Sequence, residues 1–161
     1  MKKILTLNLL VSLNITSIVV LLDILSKQWV INHLSLFEVK PITSILNIFH
    51  THNYGLAFSI FSNIVKNSKY FLYLLNILII IIILKMIYSI QNNKIHNNIL
   101  YTLIISGAIG NLIDRLRFGF VIDFIDIHLK DWHFATFNIA DISILLGSVM
   151  MMYTHFNQKN K

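Results

Sequence analysis

The sequence contains no cysteine, a single proline and five glycines among its 161 residues, and it has few charges. Without cysteine the chain cannot form a disulfide, use a thiolate nucleophile or bind a metal through sulfur. Only 12% of the residues are charged, whereas 56% are hydrophobic and the mean hydropathy is +0.71. This composition excludes an ordinary soluble globule and predicts a single domain, residues 1–161, that crosses a membrane several times.

Four apolar stretches are candidates for transmembrane helices, each of which needs roughly 20 residues. The first stretch starts with basic residues, as a signal peptide does, but it continues to about Leu25 without a small-residue cleavage site. We therefore interpret it as a retained helix. The predicted spans are residues 4–25, 70–90, 97–114 and 134–154.

The connection over residues 32–69 alternates polar and apolar side chains, most clearly from Ser44 to Phe49. Alternation of this kind indicates short strands or an interfacial segment. Residues 46–61 (LNIFHTHNYGLAFSIF) are rich in aromatic and aliphatic side chains. They are predicted to lie on the bilayer surface or to cradle an apolar ligand.

The net charge of +6 does not indicate nucleic-acid binding, because the Lys and Arg residues stand singly at the ends of apolar runs. We interpret them as topology signals. The basic residues of the inner segments are concentrated in short, acid-free lengths of chain, which predicts that both termini are cytoplasmic and all seven acids lie toward the outer side. The inner basic residues are Lys2, Lys3, Lys85, Lys94, Lys159 and Lys161.

Residues 106–141 hold five of the seven acidic residues, all of them Asp, between apolar runs. Carboxylates in such surroundings are costly and indicate a function. In the third helix, Asn111 is followed at helical spacing by Asp114 and Arg115, so the three share one face. A small-residue face on the same helix, which includes Gly107, predicts close packing against another helix.

Asn138 and Asp141 share a face of the fourth helix in the same way, and we expect the two polar faces to meet. If that helix begins at Phe134, Asp141 lies roughly 10 Å inside it, too deep to be a cap. On the first helix, Asp23 and Lys27 are four residues apart, which predicts either a local ion pair or a role near the site.

Two adjacent carboxylates share a proton, so that one can activate a water molecule while the other donates to a carbonyl oxygen, as in aspartic proteases. The residues alone leave the partner of Asp141 open among Asp114, Asp123 and Asp126. For Asp126 and Asp131 the favoured interpretation is a cap or a solvated charge in a polar loop, because an Asp in such a loop usually has one of these roles.

In five motifs, the chain resembles the bacterial lipoprotein signal peptidases (signal peptidase II), with the family's order and spacing. The resemblance covers essentially the whole chain and implies an all-α membrane protein with four transmembrane helices and a small extracytoplasmic β-containing loop region. The motifs are DILSK (23–27), NYGLAFS (53–59), SGAIGNLIDR (106–115), VIDFID (121–126) and FNIAD (137–141).

The resemblance further implies an aspartic endopeptidase with the catalytic pair Asp123 and Asp141 and with no cofactor or metal. The expected substrate is a prolipoprotein, cut on the amino side of a diacylglyceryl-modified Cys, and the enzyme is expected to be a monomer that contacts membrane lipid and no nucleic acid. It is expected in the bacterial cytoplasmic (inner) membrane, with its active site toward the extracytoplasmic face. The residues expected to support the site or bind substrate are Asp23, Lys27, Asn53, Asn111, Asp114, Arg115 and Asn138.

Two positions depart from the family pattern: Ser106 stands where glycine is frequent, and Leu56 where a smaller residue is common. These departures concern helix packing and the fit of the cradle, and neither touches the expected catalytic pair.

Two other functions compete with this interpretation. A small proton or ion transporter would use the same intramembrane Asp residues, but the sequence has no inverted repeat and its acids cluster at one edge. A metallopeptidase would need histidine ligands, yet no H-E-x-x-H motif is present. The histidines considered for that role are His50, His52, His128 and His133.

Overall fold

The computed structural model describes residues 2–55, 69–90 and 95–159. Residues 56–61 of the predicted cradle, including Leu56, lie outside these ranges. Within the described ranges the chain forms four helices and four strands. They are α1 (Lys2–His33), β1 (Val39–Pro41), β2 (Leu46–Asn53), α2 (Lys69–Ile90), α3 (Ile95–Phe118), β3 (Val121–Leu129), β4 (Trp132–His133) and α4 (Ile139–Lys159).

Among the described residues, three helical stretches are long and apolar enough to cross a membrane: Leu9–His33, Asn98–Phe118 and Ile139–Asn157. Helix α2 has a shorter apolar stretch, Tyr73–Tyr88. Many large apolar side chains of α1, α2 and α4 are exposed, as expected for a surface that faces lipid. The chain is therefore a mostly helical membrane protein with a small antiparallel sheet.

Helix α3 lies at the centre of the bundle and packs against α1, α2 and α4. The close packing predicted from its small residues is confirmed, because a Cβ on Gly110 would lie 2.7 Å from Oδ2 of Asp23. Gly107 lies directly against the backbone carbonyl of Ala140. Ser106 fits where glycine is frequent in the family, since its hydroxyl is buried and donates to the carbonyl of Thr102 at 2.6 Å.

The strands form an antiparallel sheet in the order β1-β2-β3-β4. For residues 44–49 the alternation indicated short strands or an interfacial segment. A strand is present from Leu46, and this strand, β2, continues to Asn53 with an irregularity between Ile48 and Thr51. A small apolar core joins the sheet to the end of α1 through Val30, Ile122 and Phe124. The sheet therefore covers one end of the helix bundle.

The turn after α3 brings the chain directly into β3. Gly119 has a φ of 83°, a conformation that glycine adopts without a side-chain clash. Its N–H donates to the carbonyl of Arg115 at 3.1 Å, which closes the end of the helix. As a result, β3 starts at Val121 immediately beside the last turn of α3.

The segment before α4 is extended rather than helical. The N–H of Phe137 donates to the carbonyl of Ile125 at 3.1 Å, and the N–H of Ile125 donates back to the carbonyl of Phe137 at 2.8 Å. Phe134 is also bonded to β3, from its N–H to the carbonyl of Ile127 at 2.8 Å. Helix α4 consequently begins at Ile139, whereas the sequence placed its start at Phe134.

Candidate active site

Asp123 is buried in β3, with only 2% of its surface exposed. Its Oδ2 accepts a hydrogen bond from the side-chain amide of Asn53 at 3.0 Å. Its Oδ1 accepts one from the side-chain amide of Asn138 at 2.7 Å. Amides from β2 and from the segment before α4 therefore fix both oxygens of this carboxylate.

Asp141 lies in the first turn of α4, where its carboxylate accepts from the backbone N–H of Asn138 at 3.2 Å. The backbone N–H of Asp141 donates in return to Oδ1 of Asn138 at 2.9 Å. This reciprocal pair is a helix cap. The expectation that Asp141 lies too deep to be a cap was wrong, because the helix begins at Ile139.

The polar faces of α3 and α4 meet, as predicted, through Asn111 and Asn138. The side-chain amide of Asn111 donates to Oδ1 of Asp141 at 2.8 Å. Oδ1 of Asn111 accepts from the side-chain amide of Asn138 at 3.2 Å. Asn138 thus contacts both carboxylates, and Asn111 contacts Asn138 and Asp141.

Lys27 supports this cluster from α1 and is buried, with 2% of its surface exposed. Its Nζ donates to Oδ2 of Asp23 at 2.7 Å and to Oδ1 of Asn111 at 3.1 Å, and it pairs with Oδ2 of Asp114 at 2.9 Å. An ammonium group has three hydrogens, so these three acceptors satisfy it fully. The local ion pair considered for Asp23 and Lys27 is therefore present, and Lys27 also contacts Asn111 of the candidate site.

Asp23 and Asp114 also fix the backbone around the site. Oδ1 of Asp23 accepts from the backbone N–H of Ala140 at 2.9 Å, which caps the start of α4 from a different helix. Oδ2 of Asp114 accepts from the backbone N–H of Ile122 at 3.2 Å. The backbone N–H groups next to Asp123 and Asp141 are thereby held by carboxylates that Lys27 balances.

Arg115 connects α3 to the chain that follows β2. It donates to the carbonyl of Gly55 at 2.8 Å and to the carbonyl of Asn111 at 3.3 Å. The charges of Asp141 and Asp123 also act on its guanidinium. Arg115 therefore does more than neutralise the end of its own helix.

The pKa of Asp123 is raised from its ordinary value of 3.8 to about 7. Burial is the main cause, and the negative charge of Asp141 raises the pKa further. The hydrogen bonds from Asn53 and Asn138 and the charge of Lys27 act in the opposite direction. Near neutral pH, Asp123 can therefore hold a proton and release it.

The sequence suggested that Asp126 is a cap or a solvated charge in a polar loop. The structure places it instead within β3, where only 3% of its surface is exposed. Side chains alternate along a strand, so Asp126 and Asp123 point to opposite faces. Its carboxylate accepts from Asn47 at 2.9 Å and lies 2.9 Å from Nδ1 of His133. Asp131 is exposed in the turn between β3 and β4, in agreement with the prediction.

The four histidines considered as metal ligands lie in strands β2, β3 and β4 of the sheet. His50 Nδ1 lies 2.9 Å from the carbonyl of Leu34, and the ring of His52 stacks on Phe120 at 3.7 Å. Burial, with a smaller contribution from His50, lowers the pKa of His52. The rings of His128 and His133 stack on each other at 5.2 Å.

Sequence reasoning missed the links that Ala140 and Asn47 provide. Ala140 contributes through its backbone N–H, which no residue type reveals. Asn47 could have been found from the sequence, because a side-chain amide within a buried strand needs a hydrogen-bond partner.

Comparisons with known proteins agree over nearly the whole chain. The family model described as signal peptidase (SPase) II matches residues 15–157. A lipoprotein signal peptidase of Buchnera aphidicola subsp. Schizaphis graminum (strain Sg) is 47% identical over 144 residues, which cover 89% of this chain and 92% of the relative. That of Serratia proteamaculans (strain 568) is 39% identical over 139 residues, 86% of this chain and 82% of the relative.

Solved structures have the same fold. A bacterial membrane enzyme determined by the in meso method at 2.3 Å resolution superposes with a TM-score of 0.80 and 26% identity, covering 92% of this chain and 89% of that chain. A second, at 1.9 Å resolution, gives a TM-score of 0.75 and 29% identity over 89% of this chain and 91% of that chain.

The apolar helices and the relatives together define a multi-pass protease of the bacterial inner membrane. Its environment is the membrane and its substrates are prolipoproteins, from which it cleaves the signal peptide. More narrowly, the chain belongs to the signal peptidase II family.

Proposed function

We propose that this chain is an aspartic endopeptidase whose catalytic pair is Asp123 and Asp141. The observation that supports the pair is that Asn138 contacts both carboxylates, at 2.7 Å through its side-chain amide and at 3.2 Å through its backbone N–H. The charge of Asp141 also helps to raise the pKa of Asp123. Carboxylates coupled in this way share a single proton.

In the proposed reaction, Asp123 carries the shared proton and Asp141 is the base. Asp141 takes a proton from a water molecule as the water oxygen attacks the scissile carbonyl carbon, while Asp123 donates its proton to the carbonyl oxygen. When the tetrahedral intermediate collapses, the proton on Asp141 goes to the leaving nitrogen and a hydroxyl proton returns to Asp123. The pair ends in its starting state, which allows a second turnover.

The surrounding polar residues support the pair or bind substrate in this proposal. Lys27 balances the nearby carboxylates and holds Asn111, which in turn holds Asp141. Arg115 supports the site by joining α3 to the chain after β2, through its bonds to the carbonyls of Asn111 and Gly55. The full set of supporting residues is Asp23, Lys27, Asn53, Asn111, Asp114, Arg115 and Asn138.

The proposed cleavage site is the bond on the amino side of a diacylglyceryl-modified Cys. This assignment is supported by the family motifs and by the position of Asp141 in the first turn of a candidate membrane span, Ile139–Asn157. A lipid-modified residue stays at the membrane boundary, and a carboxylate at the start of a span can reach it there. Residues 46–61 were predicted to lie on the bilayer surface or to cradle an apolar ligand, and of these the structure describes residues 46–55.

We also propose four spans, with both termini cytoplasmic and the sheet on the extracytoplasmic face. Helix α2 has 22 residues, and at about 1.5 Å each its length matches a hydrocarbon core of roughly 30 Å. Four spans place the start of α1 and the end of α4 on the same side of the membrane. The active site then faces the side to which prolipoproteins are exported.

The decisive experiment is cleavage of a diacylglyceryl-modified prolipoprotein by purified wild type and by the Asp123→Asn and Asp141→Asn variants at matched abundance. Either variant is expected to lose nearly all turnover, because an amide can neither hold nor accept the shared proton. Asp131→Asn is the matched control, since it makes the same change at an exposed turn and is expected to keep wild-type turnover. Undiminished cleavage by either variant of the pair would rule out the assignment.

A further inference from the structure

The buried carboxylate of Asp126 joins three strands on the face of β3 that points away from Asp123. It accepts a hydrogen bond from the side-chain amide of Asn47 in β2 at 2.9 Å. Nδ1 of His133 in β4 lies 2.9 Å from Oδ1 and 3.0 Å from Oδ2 of Asp126. A hydrogen bond from Nδ1 to a carboxylate oxygen requires the tautomer that carries its hydrogen on Nδ1, and this is the arrangement considered below.

His133 is the last residue of β4, and residues 134–138, here called the connector, follow it directly. The connector runs along β3, with Phe134 bonded to the carbonyl of Ile127 at 2.8 Å. It ends at Asn138, the residue that contacts both carboxylates of the proposed pair. Strand β3 therefore carries Asp123 on one face and Asp126, which contacts His133, on the opposite face. The same strand also pairs with the connector.

We propose that Asp126 and His133 are positioning residues of the peptidase, which fix the start of the connector against β3 so that Asn138 stays between Asp123 and Asp141. This inference rests on the proposed catalytic pair. The bond between Asp126 and His133 is here called the connector clamp. Small displacements at an active site are costly, since an error of about 1 Å in a reacting group can lower turnover roughly 100-fold.

The connector clamp can be broken without opening the core of the protein. The side chain of His133 is 53% exposed, whereas that of Asp126 is 4% exposed. A substitution of His133 therefore removes the donor and leaves little empty space behind. A substitution of Asp126 would in addition leave the buried amide of Asn47 without its acceptor.

The test compares His133→Ala, which removes the donor, with His133→Asn, whose side-chain amide can donate from nearly the position of Nδ1. Both are assayed with a diacylglyceryl-modified prolipoprotein, and kcat and KM are determined separately. We expect His133→Ala to lower kcat roughly 10- to 100-fold with KM changed by less than about twofold, because the effect is on the reacting groups rather than on binding. His133→Asn is expected to restore most of kcat, and Asp131→Asn in the same hairpin is expected to equal the wild type.

A pH profile of kcat supplies a second readout that a general loss of stability would not move. The bond from Asn138 lowers the pKa of Asp123, so a displaced connector would raise that pKa and shift the basic limb of the profile to higher pH. Asp123 also faces the charges of Asp141, Lys27 and Arg115, which the substitutions leave in place. The shift is expected in the alanine variant and is expected to disappear in the asparagine variant.

Three results would overturn the connector clamp: wild-type kcat in His133→Ala, a loss that His133→Asn does not restore, or an unmoved basic limb. The outcome is separable from that of the catalytic pair. If His133→Ala turns over normally while Asp123→Asn and Asp141→Asn are inactive, the clamp fails and the pair stands. If Asp123→Asn cleaves normally, the proposed mechanism itself fails.

Discussion

Asn138 has a central place at the scale of single residues, because it contacts both carboxylates and is completely buried. Its side chain is an amide, which keeps its donor and acceptor whatever the pH. It can therefore hold the two carboxylates in one geometry, which the proposed sharing of a proton between them requires. Asn111 complements it by fixing Asp141 from α3.

The first prediction follows from the donor that Asn138 supplies. We expect Asn138→Ala to lower kcat about 10- to 100-fold, because removing a hydrogen bond from a buried carboxylate costs roughly 1–3 kcal/mol. The measurement is steady-state cleavage of a lipid-modified prolipoprotein. Asn32→Ala, at an exposed position of α1, serves as the control, and a kcat equal to the wild type in Asn138→Ala would contradict the prediction.

The second prediction concerns the stability that depends on Asp123. Its carboxyl ionises near 3.8 when unfolded but keeps its proton to about 7 when folded, so the folded protein binds more protons between those pH values. Stability therefore falls as the pH rises through this interval. We expect Tm, followed by tryptophan fluorescence in detergent, to fall less steeply from about pH 4 to 7 in Asp123→Asn than in the wild type. Asp131→Asn should keep the wild-type slope, and equal slopes in all three proteins would refute this account.

At the scale of secondary-structure elements, the start of α4 is determined by contacts from several directions. The chain before it is paired with β3, Asn138 and Asp141 cap each other, and Asp23 binds the N–H of Ala140. The contacts to the N–H groups of Ala140 and Asp141 satisfy donors that the first turn of a helix leaves free. These contacts fix the position of Asp141, because Asp141 belongs to the first turn of α4.

The sequence predicted which side chains share a face but not where this helix begins. Spacing was sufficient to bring Asn111 and Asn138 together, and they do meet. Residues 134–137 are Phe, Ala, Thr and Phe, and so short a run does not distinguish a helix from a strand by its pattern alone. The partner of Asp126 was equally hidden, because Asn47 lies 79 residues away along the chain.

The third prediction tests the close contact between α3 and α4. In Gly107→Ala the new methyl group would meet the carbonyl of Ala140, a backbone atom that cannot turn aside. We expect a fall of several degrees in Tm and a lower kcat, since the displaced residue is next to Asp141. Ser148→Thr also adds one methyl group, but at a groove between α3 and α4 that has room for it. Equal Tm values for Gly107→Ala and the wild type would show that the helices are not in close contact.

At the scale of the whole molecule, an apolar surface surrounds the bundle, while the buried charged side chains of the described residues lie at the end that carries the sheet. Because the carboxylates are buried near this end, both water and a membrane-bound substrate can approach the proposed site. Orientation then decides which compartment the site serves, and the basic residues of the predicted inner segments favour cytoplasmic termini.

The fourth prediction uses the absence of cysteine, which makes every engineered thiol unique. In intact spheroplasts, a membrane-impermeant maleimide is expected to label Asp131→Cys in the turn between β3 and β4, and not Asn157→Cys near the end of α4. Both variants should be labelled after permeabilisation. The reverse pattern in intact spheroplasts would invert the proposed topology.

The contact between Asp23 and the N–H of Ala140 joins groups 117 residues apart in the chain, and this distance has a consequence for biosynthesis. Asp23 enters the membrane with α1, and Ala140 enters later, with α4. Until the last helix arrives, the ammonium of Lys27 has its carboxylate partners while Asp141 is missing. The proposed catalytic pair therefore implies that the nascent chain is inert as a peptidase during insertion and becomes active only when α4 docks. Proteolysis by ribosome-bound chains that end before Asn138 would disprove this.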